Sequence, residues 1–377
     1  MAETFTFTDE HALLVQSATG LLGKQVSFER VRQWMSTESG YDAALWREVA
    51  ALGWLGVALP EAHGGAGLGA TGLVSLAEAM GRSLLAGPWL ATTLAEQLIL
   101  AAGSAEQQAE LLPALASGER IATVAVSEPG GDGSWSRLAA RADRDGEGYR
   151  LSGTKAYVLD GQNAALLLVV CQCDAKPAVF AVERGKLPQT ALRAERLIDE
   201  TRRSARVCLD GVRVEKSARL GTDASAALAR LETLGALLVA AEMAGGNAGV
   251  MELTLEYLKT RVQFGKLIGG YQALKHPMAW IMVALEHTRS LVYRAATLLD
   301  AGDAEATTAI RMAKAQAGES FTHAADRAIQ FHGAIGFTHE CHAQLFFRRA
   351  QWDEYAFGDA ALHRRRLGET LFHRAPG

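Results

Sequence analysis

No stretch of this sequence is long and apolar enough to be expected to span a membrane. A span needs about 18 consecutive uncharged apolar residues, and the longest apolar run, Leu234–Ala241, has a glutamate on each side. The N-terminus, MAETFTFTDEH, lacks a basic segment followed by an apolar one, so no secretory leader is expected and a cytoplasmic location is. Cysteine is scarce: four residues in 377 make no disulfide framework. Cys171 and Cys173 alternate in a Val/Leu-rich strand and read as small core or edge residues in a reducing compartment, not as a redox pair. No block of Lys or Arg stands out and the formal net charge is only −4, so a nucleic-acid partner is not expected. Arg364-Arg365-Arg366 reads as a solvated helix face. Internal repeats and low-complexity segments are also missing.

What remains is an ordinary globular composition, about half hydrophobic, in a chain long enough for two or three domains. Residues 1–118 read as a helical domain. Asp9 is placed to cap a helix from Glu10 to Leu22. Ala43–Leu52, Leu73–Met80 and Thr92–Ala102 carry apolar residues at helical spacing, and Ser104-x-x-Gln107 is a capping-box pattern. The glycine cluster in LPEAHGGAGLGATG tempts a dinucleotide reading. No second strand with an acidic residue follows it, and no βαβ unit surrounds it, so it reads as a tight loop between helices.

Residues 119–220 change to short β-type runs: Ile121–Val126, Ala139–Ala142, Tyr149–Leu151, Ala165–Cys173, Val179–Val182 and Ala205–Leu209. Turn chemistry separates them, as in Glu128-Pro-Gly-Gly-Asp-Gly, Asp145-Gly146 and Asp160-Gly161. The expectation is a central antiparallel β-barrel or sandwich. Residues 221–377 return to long helices, near Ala226–Phe264, Tyr271–Asp300, Ala304–Phe331, Glu340–Ala350 and Ala360–Phe372. Their short connections predict a four-helix-type bundle. The fold class is therefore α+β, multi-domain, in the order α–β–α.

The first long C-terminal helix carries an oddity. At 100° per residue Glu242 falls with Leu228, Leu231, Gly246 and Leu253 on an apolar stripe. A carboxylate there is either desolvated and basic enough to take a proton, or satisfied by a neighbouring Arg or hydroxyl. Gly235, Ala236, Gly245 and Gly246 in the same helix predict a roomy pocket or a close helix crossing. His339-Glu340-Cys341-His342 has the wrong order and no second ligand pair for zinc, so no metal is expected.

Four motifs in order carry a resemblance. Val126-Ser127-Glu128-Pro129-Gly130 ends the first β-type run. Leu151-Ser-Gly-Thr-Lys155 leads to Tyr157-Val-Leu159-Asp-Gly161. Tyr257-x-x-x-Arg261-x-Gln263-Phe264-Gly265 precedes Gln272, and Gln330-x-His332-Gly333-Ala334-x-Gly336-Phe337 follows. Together they resemble the acyl-CoA dehydrogenase family over nearly the whole chain. The resemblance implies an FAD-dependent oxidoreductase that desaturates an acyl-CoA thioester between the α and β carbons, with an electron-transfer protein as acceptor. It also implies a homo- or hetero-oligomer. It places Val126, Ser127, Tyr157 and Leu159 beside the flavin, with Tyr157 for the usual Trp and Leu159 for a hydroxyl residue. It places Arg261, Gln263, Phe264 and Gln272 on FAD as well, and Gln330, His332 and Gly333 on the FAD of a neighbouring subunit. A planar guanidinium suits a pyrophosphate. Without that context Arg261 would read as a surface ion pair with Glu256 or Glu252.

The chain departs from the family at the base. The chemistry needs a carboxylate near the α carbon. The two positions where family members carry it fall here on Phe357 and Gly235. Glu242 is then the first candidate base and Glu232 the runner-up, with Asp353, Glu354 and Asp359 further behind. A catalytically silent subunit of a heteromeric dehydrogenase is the alternative.

Overall fold

A computed structural model describes residues 8–130, 135 and 138–372. The turn expected from Glu128 to Gly133 thus lies partly outside the described residues. The helices of the N-terminal segment are α1 (Asp9–Gln25), α2 (Phe28–Met35), α3 (Ala43–Ala51), α4 (Gly69–Ser83), α5 (Trp89–Ala102) and α6 (Ala105–Ala116). Thr8, not Asp9, caps α1, its side chain accepting from the His11 amide; a hydroxyl oxygen one residue earlier satisfies the same orphan donors. At α6 both halves of the Ser104–Gln107 capping box form. The glycine cluster is a loop with one short 3-10 turn at Glu61–His63, and its last residues, from Gly69, open α4.

The strands are β1 (Ala122–Ala125), β2 (Arg141–Asp145), β3 (Gly148–Ser152), β4 (Thr154–Leu159), β5 (Leu166–Cys173), β6 (Lys176–Glu183), β7 (Leu192–Glu195), β8 (Ser204–Cys208), β9 (Val212–Glu215) and β10 (Arg219–Leu220). They make a seven-stranded sheet in the order β10-β6-β5-β2-β3-β9, with β1 also on β5, and a three-stranded sheet β4-β8-β7. The pairing is mostly antiparallel, but β1 and β2 meet β5 in parallel. β5 lies inside the sheet and is buried almost end to end, which is why its sequence is a continuous apolar run rather than an alternation.

The C-terminal segment holds α7 (Ser225–Thr260), a two-stranded ribbon β11 (Val262–Gln263) and β12 (Lys266–Leu267), then α8 (Gln272–Asp300), α9 (Ala306–His332), α10 (Ala343–Tyr355) and α11 (Ala360–Phe372). α10 starts three residues later than its sequence suggests, because Cys341 closes a turn back onto Thr338. By length and composition α7 could cross a membrane, yet 94% of its most apolar window is buried, as in a core helix.

The residues group into two compact units. One comprises Met1–Arg32, Gly69–Leu85 and Gly235–Gly377; the other comprises Gln33–Leu68 and Ala86–Leu234. The helical N-terminal segment is therefore shared between units. In the first unit α7 crosses α4 at very short range. A Cβ on Gly245 would lie 1.9 Å from the Glu78 carbonyl oxygen, and one on Gly81 2.0 Å from that of Glu242. Only residues without side chains allow that approach. Gly246 makes room for the Phe321 ring in the same way.

Candidate functional site

In the second unit the wall expected to face a flavin is built on β1 and β4. Lys155 is fully buried and donates from Nζ to the Val126 carbonyl at 3.1 Å and to Glu128 Oε1 at 2.6 Å. Glu128 also accepts from the amides of Ala139 and Ala140. Burial pushes the Glu128 carboxyl up, but these donors outweigh it and hold the carboxyl below its ordinary value. The Ala156 amide donates to the Ser127 carbonyl at 2.9 Å. The segment Val126–Glu128 is thereby bolted to β4.

The register of β4 on β8 shifts between Lys155 and Val158. Ala156 and Tyr157 together oppose Arg206, which is a β-bulge. Tyr157 sits there at φ +55°, rare for a bulky residue, and Glu195 Oε2 accepts from its amide at 2.7 Å. The bulge turns the ring outward, 64% exposed. Leu159 is half-buried at the end of the strand. Just beyond it the Asp160 carboxyl is buried, and burial raises it to about 6.

In the first unit Arg261 follows α7 directly and leads into the β11–β12 ribbon. The turn of that ribbon puts Phe264 at φ +53° and Gly265 at φ +78°, leaving the Phe264 ring 93% exposed. The Tyr271 hydroxyl donates to the Gln263 carbonyl at 3.3 Å, bracing the ribbon against the start of α8 beside Gln272. Arg261 has no ion pair among the described residues, since Glu256 is engaged by Lys259 and Glu252 by Arg82. Further along, Gln330 and Gly333 are exposed, with Gly333 at φ +67°, ψ −145°, a conformation open essentially to glycine alone. The His332 ring is turned inward, stacked on Tyr257 at 4.4 Å with Nδ1 at 2.8 Å from the Ala328 carbonyl.

Phe357 and Gly235, the two positions that the family resemblance marks for a base, lie against each other. A Cβ on Gly235 would lie 2.3 Å from Cε1 of the Phe357 ring and 2.5 Å from Cδ1. Phe357 adopts φ +56° and its turn is clamped from below. Lys314, wholly buried, donates from Nζ to the carbonyls of Glu354 and Gly358 at 3.0 and 2.8 Å, and burial lowers it to about 8. The His363 ring nitrogen Nε2 lies 3.0 Å from the Phe357 carbonyl.

Of the carboxylates, Glu242 is buried and ion-paired to Arg349, itself fully buried. Arg349 was not singled out in the sequence; the signal available was Glu242 itself, since a carboxylate on an apolar stripe needs a cation. Glu232 is half-buried on the first turns of α7. Glu354 and Asp359 accept from the amides of Ala360 and Leu362, capping α11. Asp353 is fully buried in α10. At the other end of that helix the His342 ring stacks on Phe28 at 4.3 Å, and His339 lies beside Arg32.

The family description "Acyl-CoA dehydrogenase, N-terminal domain" matches residues 8–119, and "Acyl-CoA dehydrogenase, C-terminal domain" matches residues 225–372. The chain belongs to the acyl-CoA dehydrogenase family. It is 31% identical to the acyl-CoA dehydrogenase IpdE2 of Mycolicibacterium smegmatis, over 97% of this chain and 100% of that protein. Among solved structures, a Tcur3481–Tcur3483 steroid ACAD variant superposes with TM-score 0.86 at 33% identity, covering 97% of this chain and 98% of that one. The ChsE4–ChsE5 complex of Mycobacterium tuberculosis superposes with TM-score 0.90 at 29% identity, covering 99% and 100%. The helical N-terminal region, central curled sheet and C-terminal helices follow the family's fold.

The residues present fit a flavin. In the first unit Arg261 offers a guanidinium with no partner among the described residues and Phe264 an exposed aromatic face; in the second unit Tyr157 offers an exposed ring. When bound, FAD supplies the acceptor for a hydride leaving the β carbon of a thioester. Arg261 would hold the pyrophosphate as a fork, and Tyr157 would stack on the ring system. The bulge fixes where Tyr157 stands, and the Lys155–Glu128 pair fixes the neighbouring turn.

Proposed function

We propose that this chain is a flavin-holding subunit of an FAD-dependent acyl-CoA dehydrogenase, acting on the α–β bond of an acyl-CoA thioester only with a partner subunit. The observation that carries this reading is the Phe357 ring lying against Gly235. Desaturation needs a carboxylate to take the α proton as the hydride departs from the β carbon. Neither position offers one, and the ring occupies the space that a side chain at residue 235 would need.

A second reading has the chain active alone, with Glu242 as base and Glu232 as its runner-up; the burial of Glu242 on α7 supports it. Arg349 weighs against it, because its buried guanidinium already engages the Glu242 carboxylate that would have to take the proton. The relatives described as a steroid ACAD and as a two-component complex support heteromeric assembly. So do the exposed Phe264, Trp280, Val283 and Phe337, side chains that an oligomer would cover. We take an electron-transfer protein as the acceptor and the cytoplasm as the location.

The reading is tested by steady-state turnover of steroid side-chain and fatty acyl-CoA thioesters with an artificial electron acceptor. The chain alone should bind FAD and show no turnover. Activity should appear when the product of a neighbouring dehydrogenase gene is added. Full turnover by the chain alone, abolished in Glu242→Gln with FAD retained, would favour the second reading instead.

A further inference from the structure

Helix α8 turns a face outward that is apolar at its centre and basic at its ends. Met278, Ile281, Leu285 and Val292 bury one side of the helix in the first unit. On the opposite side His276, Trp280, Val283, His287 and Arg294 recur at i, i+4, i+7, i+11 and i+18, which gathers them into one narrow sector at 100° per residue. All five are exposed, and the Trp280 side chain is 70% so. The charges of α8 are divided between its two sides. Its two carboxylates are both used within the first unit. Glu286 pairs with Arg289, and Asp300 accepts from the amides of Ala70 and Thr71. Arg289 is taken up by Glu78 as well. His276, His287 and Arg294 have no ion pair or hydrogen bond among the described residues, and no acidic residue shares their face.

We propose that this face of α8 docks an acidic surface of an unlike partner subunit. Trp280 and Val283 form its apolar centre, and His276, His287 and Arg294 meet carboxylates of the partner. An aromatic anchor with an arginine beside it is the composition that carries binding energy at interfaces. Charge decides between the possible occupants. Two copies of this chain crossing antiparallel midway between Trp280 and Val283 would place His276 of one and His287 of the other at the same distance, about 8 Å, from the crossing, so base would meet base. Parallel copies would set each base against itself. Neither arrangement brings a carboxylate to Arg294, because α8 has none to spare. The face is therefore complementary to a different, acidic chain and mismatched to its own copy.

The proposal rests on the reading of this chain as one subunit of a heteromeric dehydrogenase, and its test separates the two. The probe is the product of a neighbouring dehydrogenase gene, and its affinity for the full FAD-loaded chain is measured by interferometry at low and high salt. Affinity for the wild type should fall about tenfold or more as salt rises, since exposed charge pairs are screened. Arg294→Glu should weaken binding about tenfold or more by setting like charges together, and Trp280→Ala should do the same by removing the anchor. Arg294→Lys should bind like the wild type. These side chains are exposed, so each variant should melt at the wild-type temperature and the chain alone should sediment as before. Wild-type affinity in Arg294→Glu or in Trp280→Ala, or an affinity that salt leaves unchanged, overturns the proposal alone. So does the splitting of a homo-oligomer by these substitutions, which would make a second copy the occupant. If the probe does not bind the wild type, the proposal falls together with the heteromeric reading.

Discussion

At the residue scale the decisive contact is between Gly235 and Phe357. The family resemblance marks both positions in the sequence as places without a base, but nothing in the sequence says that they touch. Gly235 lies on α7 and Phe357 in the turn between α10 and α11, and only the fold brings the ring over the glycine. Gly235→Ala should therefore cost about 1–3 kcal/mol, the usual penalty of an extra carbon in a filled core. Combining it with Phe357→Ala should recover part of that cost, since the clash is gone; urea denaturation of the four proteins checks this. If the two single losses simply add, the residues do not compete for one space. Glu242 teaches the converse. Its place on an apolar stripe was legible from helical periodicity, while its partner was not, because Arg349 comes from a distant helix. Glu242→Gln should destabilise by about 3–5 kcal/mol, the usual cost of removing the charge of one partner from a buried ion pair. A melting temperature equal to that of the wild type would contradict it.

At the scale of elements, the helices were the most legible part. Apolar spacing and the Ser104–Gln107 cap are local signals, and α11 runs over the residues expected from them. The strands were legible as runs and turns, but not in their partners. The parallel pairing of β1 with β5, and the bulge that presents Tyr157, depend on residues far apart in the sequence. The turn Glu354–Gly358 was invisible for the same reason. It is held by Lys314 from α9 and His363 from α11, two buried polar groups that read locally as unremarkable helix residues. Burial depresses His363 to about 4, with the Lys314 charge adding to it, whereas an unfolded histidine titrates near about 6.5. Between those values the unfolded chain binds more protons than the folded one, so His363 contributes stability that is present above about 6.5 and lost as pH falls toward 4. Replacing it with a group that does not titrate, His363→Asn, should flatten that part of the profile. The urea midpoint followed from pH 7 to 4 should fall less steeply in the variant than in the wild type; parallel profiles would contradict the assignment.

At the scale of the whole molecule, the α–β–α order was legible from composition shifts, whereas the division into units was not. Residues 1–118 read as one helical domain, yet α1 and α4 group with the C-terminal helices while α5 and α6 group with the sheet. Periodicity shows that a helix has an apolar face without showing which element covers it. The flavin contacts expected from the motifs are likewise spread over both units, as the turn after β1 with the bulge of β4 in one and the β11–β12 ribbon with the Gln330–Gly333 turn in the other. The exposed aromatic groups among them suit a chain that works as part of an assembly. The central claim is that this chain holds FAD but cannot by itself take the α proton. Anaerobic titration of the FAD-loaded chain with an acyl-CoA thioester, followed by flavin absorbance, tests it most directly. The account predicts an unbleached spectrum for the chain alone and bleaching once the partner subunit is present. Bleaching of the isolated chain by a thioester would contradict it.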